Sequence, residues 1–223
     1  MAAPALAPAV RAALRAAADP ALAPGMQAYM RSAMPFLGVR VPEVRRLTRA
    51  LAREHPPADL TELAATAGSL WREATHREER YAAQALTGLP MARGALELLP
   101  LYEEMVTTGA WWDHVDETAH RVAELLDGHP AELGPVLRDW ARSPDRWLRR
   151  SAVIAQLGRR ERTDLDLLAE VIEVNAADPE FFVRKAIGWA LRDLARTDPD
   201  WVRRFLAGHE LSPLSRREAA KHL

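Results

Sequence analysis

The sequence predicts an all-α fold, a solenoid of about six stacked helical hairpins of ~34 residues each. Three observations predict it. Arginines recur in the pattern Arg-x-Ala or a near relative at Arg46, Arg80, Arg150, Arg184 and Arg217, at steps of 34, 70, 34 and 33 residues. A period near ~34 is that of helical hairpins that bury one another's apolar faces. Strand signals are weak, with no sustained alternation of β-branched residues and no Asn-Gly turn. Finally, five capping side chains stand directly before proline, a pairing suited to a helix start. The 223 residues are expected to form a single repeat domain, 1–223.

Taken in order, residues 1–20 (MAAPALAPAVRAALRAAADP) carry Arg11 and Arg15 within a helical pattern and read as a first helix rather than a signal peptide. Asp19-Pro20 marks a helix start and Gly25 a stop. Phe36–Pro42 is the most extended stretch and joins the first repeats. Gly38, Gly88, Gly158 and Gly208 mark further helix ends. Trp111-Trp-Asp-His-Val-Asp116 opens a helix in the third or fourth repeat, and Asp127-Gly128 reads as its stop rather than a hairpin turn. Ser143-Pro144, Asp178-Pro179, Asp198-Pro199 and Ser212-Pro213 start later helices. Arg150-Ser-Ala-Val-Ile-Ala-Gln-Leu157 aligns without gaps over Arg184-Lys-Ala-Ile-Gly-Trp-Ala-Leu191, and Arg217 begins another copy. The small Ala two residues after each of these arginines lets adjacent helices approach.

Composition narrows the function. With 48% hydrophobic and 27% charged residues the chain is globular. It has no Cys, which excludes disulfides and Cys-ligated zinc and fits a reducing cytosol. No apolar run is long enough to span a membrane. The net charge of −1 argues against a simple nucleic-acid-binding domain. Basic residues nevertheless cluster at Arg45/Arg46/Arg49, Arg146/Arg149/Arg150, Arg159/Arg160/Arg162, Arg184/Lys185 and Arg203/Arg204, so one face can be basic while acids elsewhere cancel the total.

An arginine column down a solenoid suits a phosphate backbone. The double step in it is filled by Asp116, 36 residues after Arg80 and 34 before Arg150. A carboxylate there repels phosphate, which points to chemistry on something positively charged. Trp112 and Asp116 lie one turn apart on one helix face, with Asp113 and His120 near the same edge. Trp189 stands where the preceding repeat has Ala155, so the repeat itself does not require it.

Blander readings stand beside these. Trp on an amphipathic helix is more often core packing, and the helical wheel alone does not exclude that for Trp112. Trp71, Trp140, Trp147 and Trp201 read as packing residues, and His114 as a solvated one. An Asp in a first turn favours the helix dipole, which suits Asp113 better than Asp116. Asp113, Asp116 and His120 also allow a metal reading, although no third ligand is dictated and HExxH is absent.

Four stretches carry a family resemblance: Gln27-Ala-Tyr-Met-Arg-Ser-Ala-Met-Pro-Phe-Leu-Gly-Val-Arg-Val-Pro42, Trp111–Asp116, Trp147-Leu-Arg-Arg-Ser-Ala-Val-Ile154 and Phe181-Phe-Val-Arg-Lys-Ala-Ile-Gly-Trp-Ala-Leu191. In this order they resemble the AlkD-type DNA alkylation repair glycosylases, built from HEAT-like repeats. The resemblance covers residues from near 27 to near 208 and is loose over 1–26. It implies a right-handed solenoid of HEAT-like hairpins with a concave basic face. It also implies a monofunctional glycosylase that hydrolyses the N-glycosidic bond of cationic alkylated purines, N3-methyladenine and N7-methylguanine among them, without enclosing a flipped base. Asp116 then corresponds to the catalytic carboxylate, Trp112 and Trp189 to its aromatic walls, and Arg150 to a backbone-contacting arginine. Arg149, Arg184, Lys185, Arg46 and Arg80 are the further DNA-binding candidates. The expected partner is alkylated double-stranded DNA, bound by a monomer in the cytoplasm beside the nucleoid, with no cofactor and no metal. A non-catalytic helical-repeat scaffold binding DNA or protein is the rival expectation.

Overall fold

Side-chain caps decide where several of the helices start. The computed structural model describes residues 5–223, and among them there are thirteen α-helices and no strand. Asp59, Asp145, Asp164, Asp198 and Ser212 each accept a backbone N–H of the helix they precede. Of the five expected starts, Asp198-Pro199 and Ser212-Pro213 cap helices at the expected place. The other three are corrected. Asp19, Ser143 and Asp178 instead accept the N–H two residues on, from Ala21, Asp145 and Glu180, and make a turn ahead of the helix. A short polar side chain can close such a turn as readily as it can cap. Gly25 and Gly38 are corrected too, because Gly25 lies inside a helix and Gly38 in the extended segment before Val41 rather than at a helix end.

The helices form two units, one ending at Leu101 and one running Tyr102–Leu223. The first holds α1 (Leu6–Ala16), α2 (Ala23–Met30), α3 (Val41–Glu54), α4 (Leu60–Arg72) and α5 (Arg77–Leu86). Helix α1 packs on α3, α4 and α5 and buries Leu6, Val10 and Leu14. Arg11 and Arg15 tie it to Glu79, both at 3.2 Å. The adjacent Glu78, fully buried, accepts the amides of Leu37, Gly38 and Val39 at 2.9, 2.9 and 3.1 Å. That contact holds the extended joining segment. Gly38 is required there. Its φ is +90°, and a Cβ would stand 2.0 Å from the Asp19 carbonyl oxygen.

The second unit holds α7 (Trp112–Gly128), α8 (Pro130–Ala141), α9 (Arg146–Ile154), α10 (Leu165–Glu173), α11 (Phe181–Leu194), α12 (Pro199–Gly208) and α13 (Pro213–Ala219), after α6 (Leu99–Gly109). Helices α7, α9, α11 and α13 pack each on the next. Helix α8 lies against α7 and α9, α10 against α8 and α9, and α12 against α11. This is the row-and-backing arrangement that the 34-residue register demands. Apolar residues such as Val115, Val122, Val153, Ile187 and Leu191 are fully buried along it. Helices α11 and α13 approach so closely that a Cβ on Gly188 would meet the Glu218 Cβ at 2.4 Å and the Ser215 carbonyl oxygen at 2.8 Å.

Candidate active site

The repeat register brings the fifth residue of α7, Asp116, beside the fifth residue of α9, Arg150. Arg150 donates Nε to Asp116 Oδ1 at 2.8 Å and Nη2 to Oδ2 at 2.9 Å. Its Nη1 donates to the Phe182 carbonyl oxygen at 2.6 Å. One guanidinium therefore links α7, α9 and α11. Arg150 is 4% exposed and the Asp116 side chain 19%. Asp116 is thus ion-paired and still reaches solvent.

Burial, the largest influence, raises the Asp116 carboxyl above its ordinary range. The Arg150 hydrogen bonds and charge pull the other way without cancelling the rise. Asp113 adds to it and His120 opposes it.

Above the pair lies a hollow of about 320 Å³ whose walls include Trp112, Trp189, Phe181 and Phe182. Both indoles are half-buried and line it, so neither is sealed into the core. The Arg150 guanidinium stands 6.0 Å from the Trp189 ring centre. Trp111 packs on Trp147 at 6.0 Å and on Phe182 at 5.4 Å, and Trp147 on Phe182 at 5.0 Å, an aromatic cluster that backs the wall. Phe181, 52% exposed, was not singled out from sequence. Its signal was a Phe-Phe pair opening a helix, of which Phe182 packs in the aromatic cluster as well as lining the hollow and Phe181 is the more exposed. Lys185 and Arg192 complete the rim.

The other basic candidates differ in how far they are already engaged. Arg149 donates to Asp178 at 2.7 Å and to the Ser143 and Pro144 carbonyl oxygens, both at 2.9 Å. Lys185 pairs with Glu218 at 3.0 Å and keeps 40% of its side chain exposed. Arg184 is half-buried, with its Nε enclosed and unbonded. In the first unit, Arg46 is exposed and held by Glu43. Arg80 lies over the Trp71 ring at 4.7 Å, where burial lowers its pKa.

His114 corrects the sequence reading. It is fully buried, on the apolar side of α7 with Val115 and Thr118, rather than solvated. Among the described residues no three His, Asp or Glu side chains come together as a metal-binding group, so Asp113, Asp116 and His120 do not form one. Trp71, Trp140 and Trp147 are buried, and Trp201 stacks on Phe205 at 4.9 Å. No helix of the described residues is long and apolar enough to cross a membrane.

The sequence profile described as "DNA alkylation repair enzyme" matches residues 10–223. A solved structure from Enterococcus faecalis, described as a predicted DNA alkylation repair enzyme, is 31% identical, with a TM-score of 0.83 over 92% of this chain and 96% of that one. AlkD2 from Streptococcus mutans shares the fold at 19% identity, with a TM-score of 0.65 over 83% of this chain and 91% of that one. The smu.31 protein of Streptococcus mutans UA159 does so at 20% identity, with a TM-score of 0.62 over 82% and 98%. No curated protein matches the chain.

Proposed function

The chain belongs to the family of DNA alkylation repair enzymes, and from that premise we propose that it is a DNA glycosylase acting on cationic alkylated purines, N3-methyladenine and N7-methylguanine among them. The observation that carries the reading is the Asp116 carboxylate at the floor of an open hollow walled by Trp112 and Trp189. Alkylation at N3 or N7 makes the base cationic and a good leaving group. No general acid is then required, which suits a hollow lined by one carboxylate and no His, with its Lys185 paired to Glu218. As the glycosidic bond lengthens, positive charge moves to the deoxyribose. Asp116 stabilises that oxocarbenium-like state and orients the attacking water.

Burial raises the energy of the Asp116 anion. An arriving cation relieves that cost, so the site favours a positively charged nucleotide over a neutral one. The indoles hold the sugar and backbone of the lesion by CH/π and cation–π contact, worth roughly 0.5–2 kcal/mol each.

Arg150 has a double role in this reading. A guanidinium carries five N–H donors. Two hold Asp116 and one holds Phe182, which leaves donors on Nη1 and Nη2 for a phosphate. Arg184, Lys185, Arg46 and Arg80, with Arg149 behind them, are the proposed further contacts to duplex DNA. The openness of the hollow favours excision without a flipped base fully enclosed, and the chemistry asks for no cofactor.

The ion pair itself favours a second reading, a helical-repeat scaffold that binds DNA or protein, because a neutralised carboxylate can be purely structural. Release of free base from duplex DNA containing N7-methylguanine, assayed with EDTA present, separates the two. The glycosylase reading expects release, and an intact duplex would overturn it in favour of the scaffold.

A further inference from the structure

In the first unit a hollow of about 490 Å³ lies between the C-terminal end of α3 and the loop that follows α5. It belongs to a different unit from the Asp116 site and shares no residue with it. Its floor and walls are apolar, including Ala52, Pro56, Leu89 and Met91, the last 43% exposed. Its size falls within the range that accommodates a large side chain or a small ligand.

Two features say what kind of occupant fits. Arg49 and Arg53, one helical turn apart, stand on its edge, both exposed. Neither has an ion-pair or hydrogen-bond partner among the described residues, and no acidic side chain lines the hollow. Most of the other arginines discussed above are held by carboxylates or carbonyls. These two are not.

The second feature is a run of carbonyls without donors. The last four carbonyls of an α-helix have no partner within it and depend on donors beyond its end. For α3 the His55 amide takes the Leu51 carbonyl at 2.8 Å. The next two donors are lost, because residues 56 and 57 are both proline. The following one, the Ala58 amide, donates to the Glu62 carboxylate at 2.9 Å instead. The carbonyls of Ala52, Arg53 and Glu54 are thus left for outside donors beside the hollow.

We propose that this hollow docks an acidic peptide segment of a partner protein. One apolar side chain enters it, flanking carboxylates engage Arg49 and Arg53, and peptide N–H groups meet the last carbonyls of α3. A DNA backbone fits less well. Phosphates bring no N–H donor for the α3 carbonyls and leave the apolar floor unfilled. Proline on two sides of the hollow makes it preformed, which lowers the ordering cost of binding.

The probe is a fluorescein-labelled peptide, Glu-Asp-Trp-Leu-Asp-Glu, titrated with the full chain by fluorescence anisotropy. Its amide counterpart, Gln-Asn-Trp-Leu-Asn-Gln, is the control. Saturable binding of the acidic peptide is expected, with weak or no binding of the control. The exposed-site variants R49E/R53E and M91D, checked for helicity by circular dichroism, are each expected to weaken it by about tenfold or more. Equal binding of the two peptides, no saturable binding, or undiminished binding in both variants would overturn the proposal. So would a dimer of the chain alone, seen in sedimentation and lost in R49E/R53E, which assigns the hollow to a second copy. Loss of unmethylated duplex binding in R49E/R53E with peptide binding unchanged assigns the arginines to DNA and equally overturns it.

Discussion

Arg150 clasps Asp116 through Nε and Nη2 at 2.8 and 2.9 Å, a two-point contact between α9 and α7 at the bottom of the aromatic hollow. The carboxylate faces both its partner and the hollow above. Asp116→Asn keeps the shape and removes the charge. Excision of N7-methylguanine is expected to fall by about 100-fold or more, as when a charge-stabilising group is lost from an active site. Affinity for unmethylated duplex, measured by anisotropy, is expected to hold within a few fold. Full excision by this variant would remove Asp116 from the mechanism.

The pair also carries a stability signature. Arg150→Met strands a carboxylate that burial already disfavours, whereas Asp116→Asn removes that disfavoured charge and leaves an amide oxygen to accept from Arg150, which keeps the Phe182 carbonyl as well. Arg150→Met alone is expected to cost about 2 kcal/mol, below the usual range for a buried pair because Asp116 keeps some solvent contact, and Asp116→Asn distinctly less. The double variant D116N/R150M is expected to recover most of the loss in urea denaturation, since no lone charge remains. Additive losses would show that the two side chains are not coupled.

Asp116 sets a pH dependence. Its folded-state carboxyl is raised, so the folded chain holds this proton to higher pH than the unfolded chain does. Its contribution to stability is therefore greatest below the unfolded pKa and is lost as pH rises through the folded one. Activity runs the opposite way, because the anion is the working form. Base release is expected to rise with pH through a midpoint above the ordinary carboxylate range. A pH–rate profile with its midpoint at or below that range would contradict this.

Glu218 behaves in the reverse sense. Hydrogen bonds from Lys221 and then Lys185 pull its carboxyl down to about 2. Its stabilisation is present above the unfolded value and is lost as pH falls from about 4.5 towards about 2. Glu218→Gln is expected to lower Tm at pH 7 and to converge with the parent chain in that acid window. A constant Tm difference across the range would show that the loss comes from packing rather than charge.

Gly188→Ala tests the α11–α13 joint. The new Cβ meets the Glu218 Cβ at 2.4 Å and a backbone oxygen at 2.8 Å, so the helices must separate. A loss of about 1–3 kcal/mol in denaturant unfolding is expected, despite the better helix propensity of Ala. A gain in stability would mean that the two helices part without cost.

Much of the architecture was legible in the chain because its signals are local. The capping side chains and most of the glycines at helix ends act within a few residues of themselves, and the 34-residue register repeats such local patterns along the chain. Where local signals failed, a competing local bond had won, as at Ser143 and Asp178, which close turns instead of capping. His114 failed for a different reason. Whether a polar residue on the edge of an apolar stripe is solvated depends on the helix laid against it.

By itself the sequence determined the helices, their period and the presence of one acid in an arginine register, since each follows from short-range periodicity and composition. Only the tertiary structure decided that this acid is held by Arg150, that Phe181 joins the two indoles at the hollow, and that Arg49 and Arg53, unpaired among the described residues, stand beside another. Those facts depend on which side chains meet across packed helices some 34 residues apart in sequence, and no local pattern encodes the direction in which a guanidinium will turn.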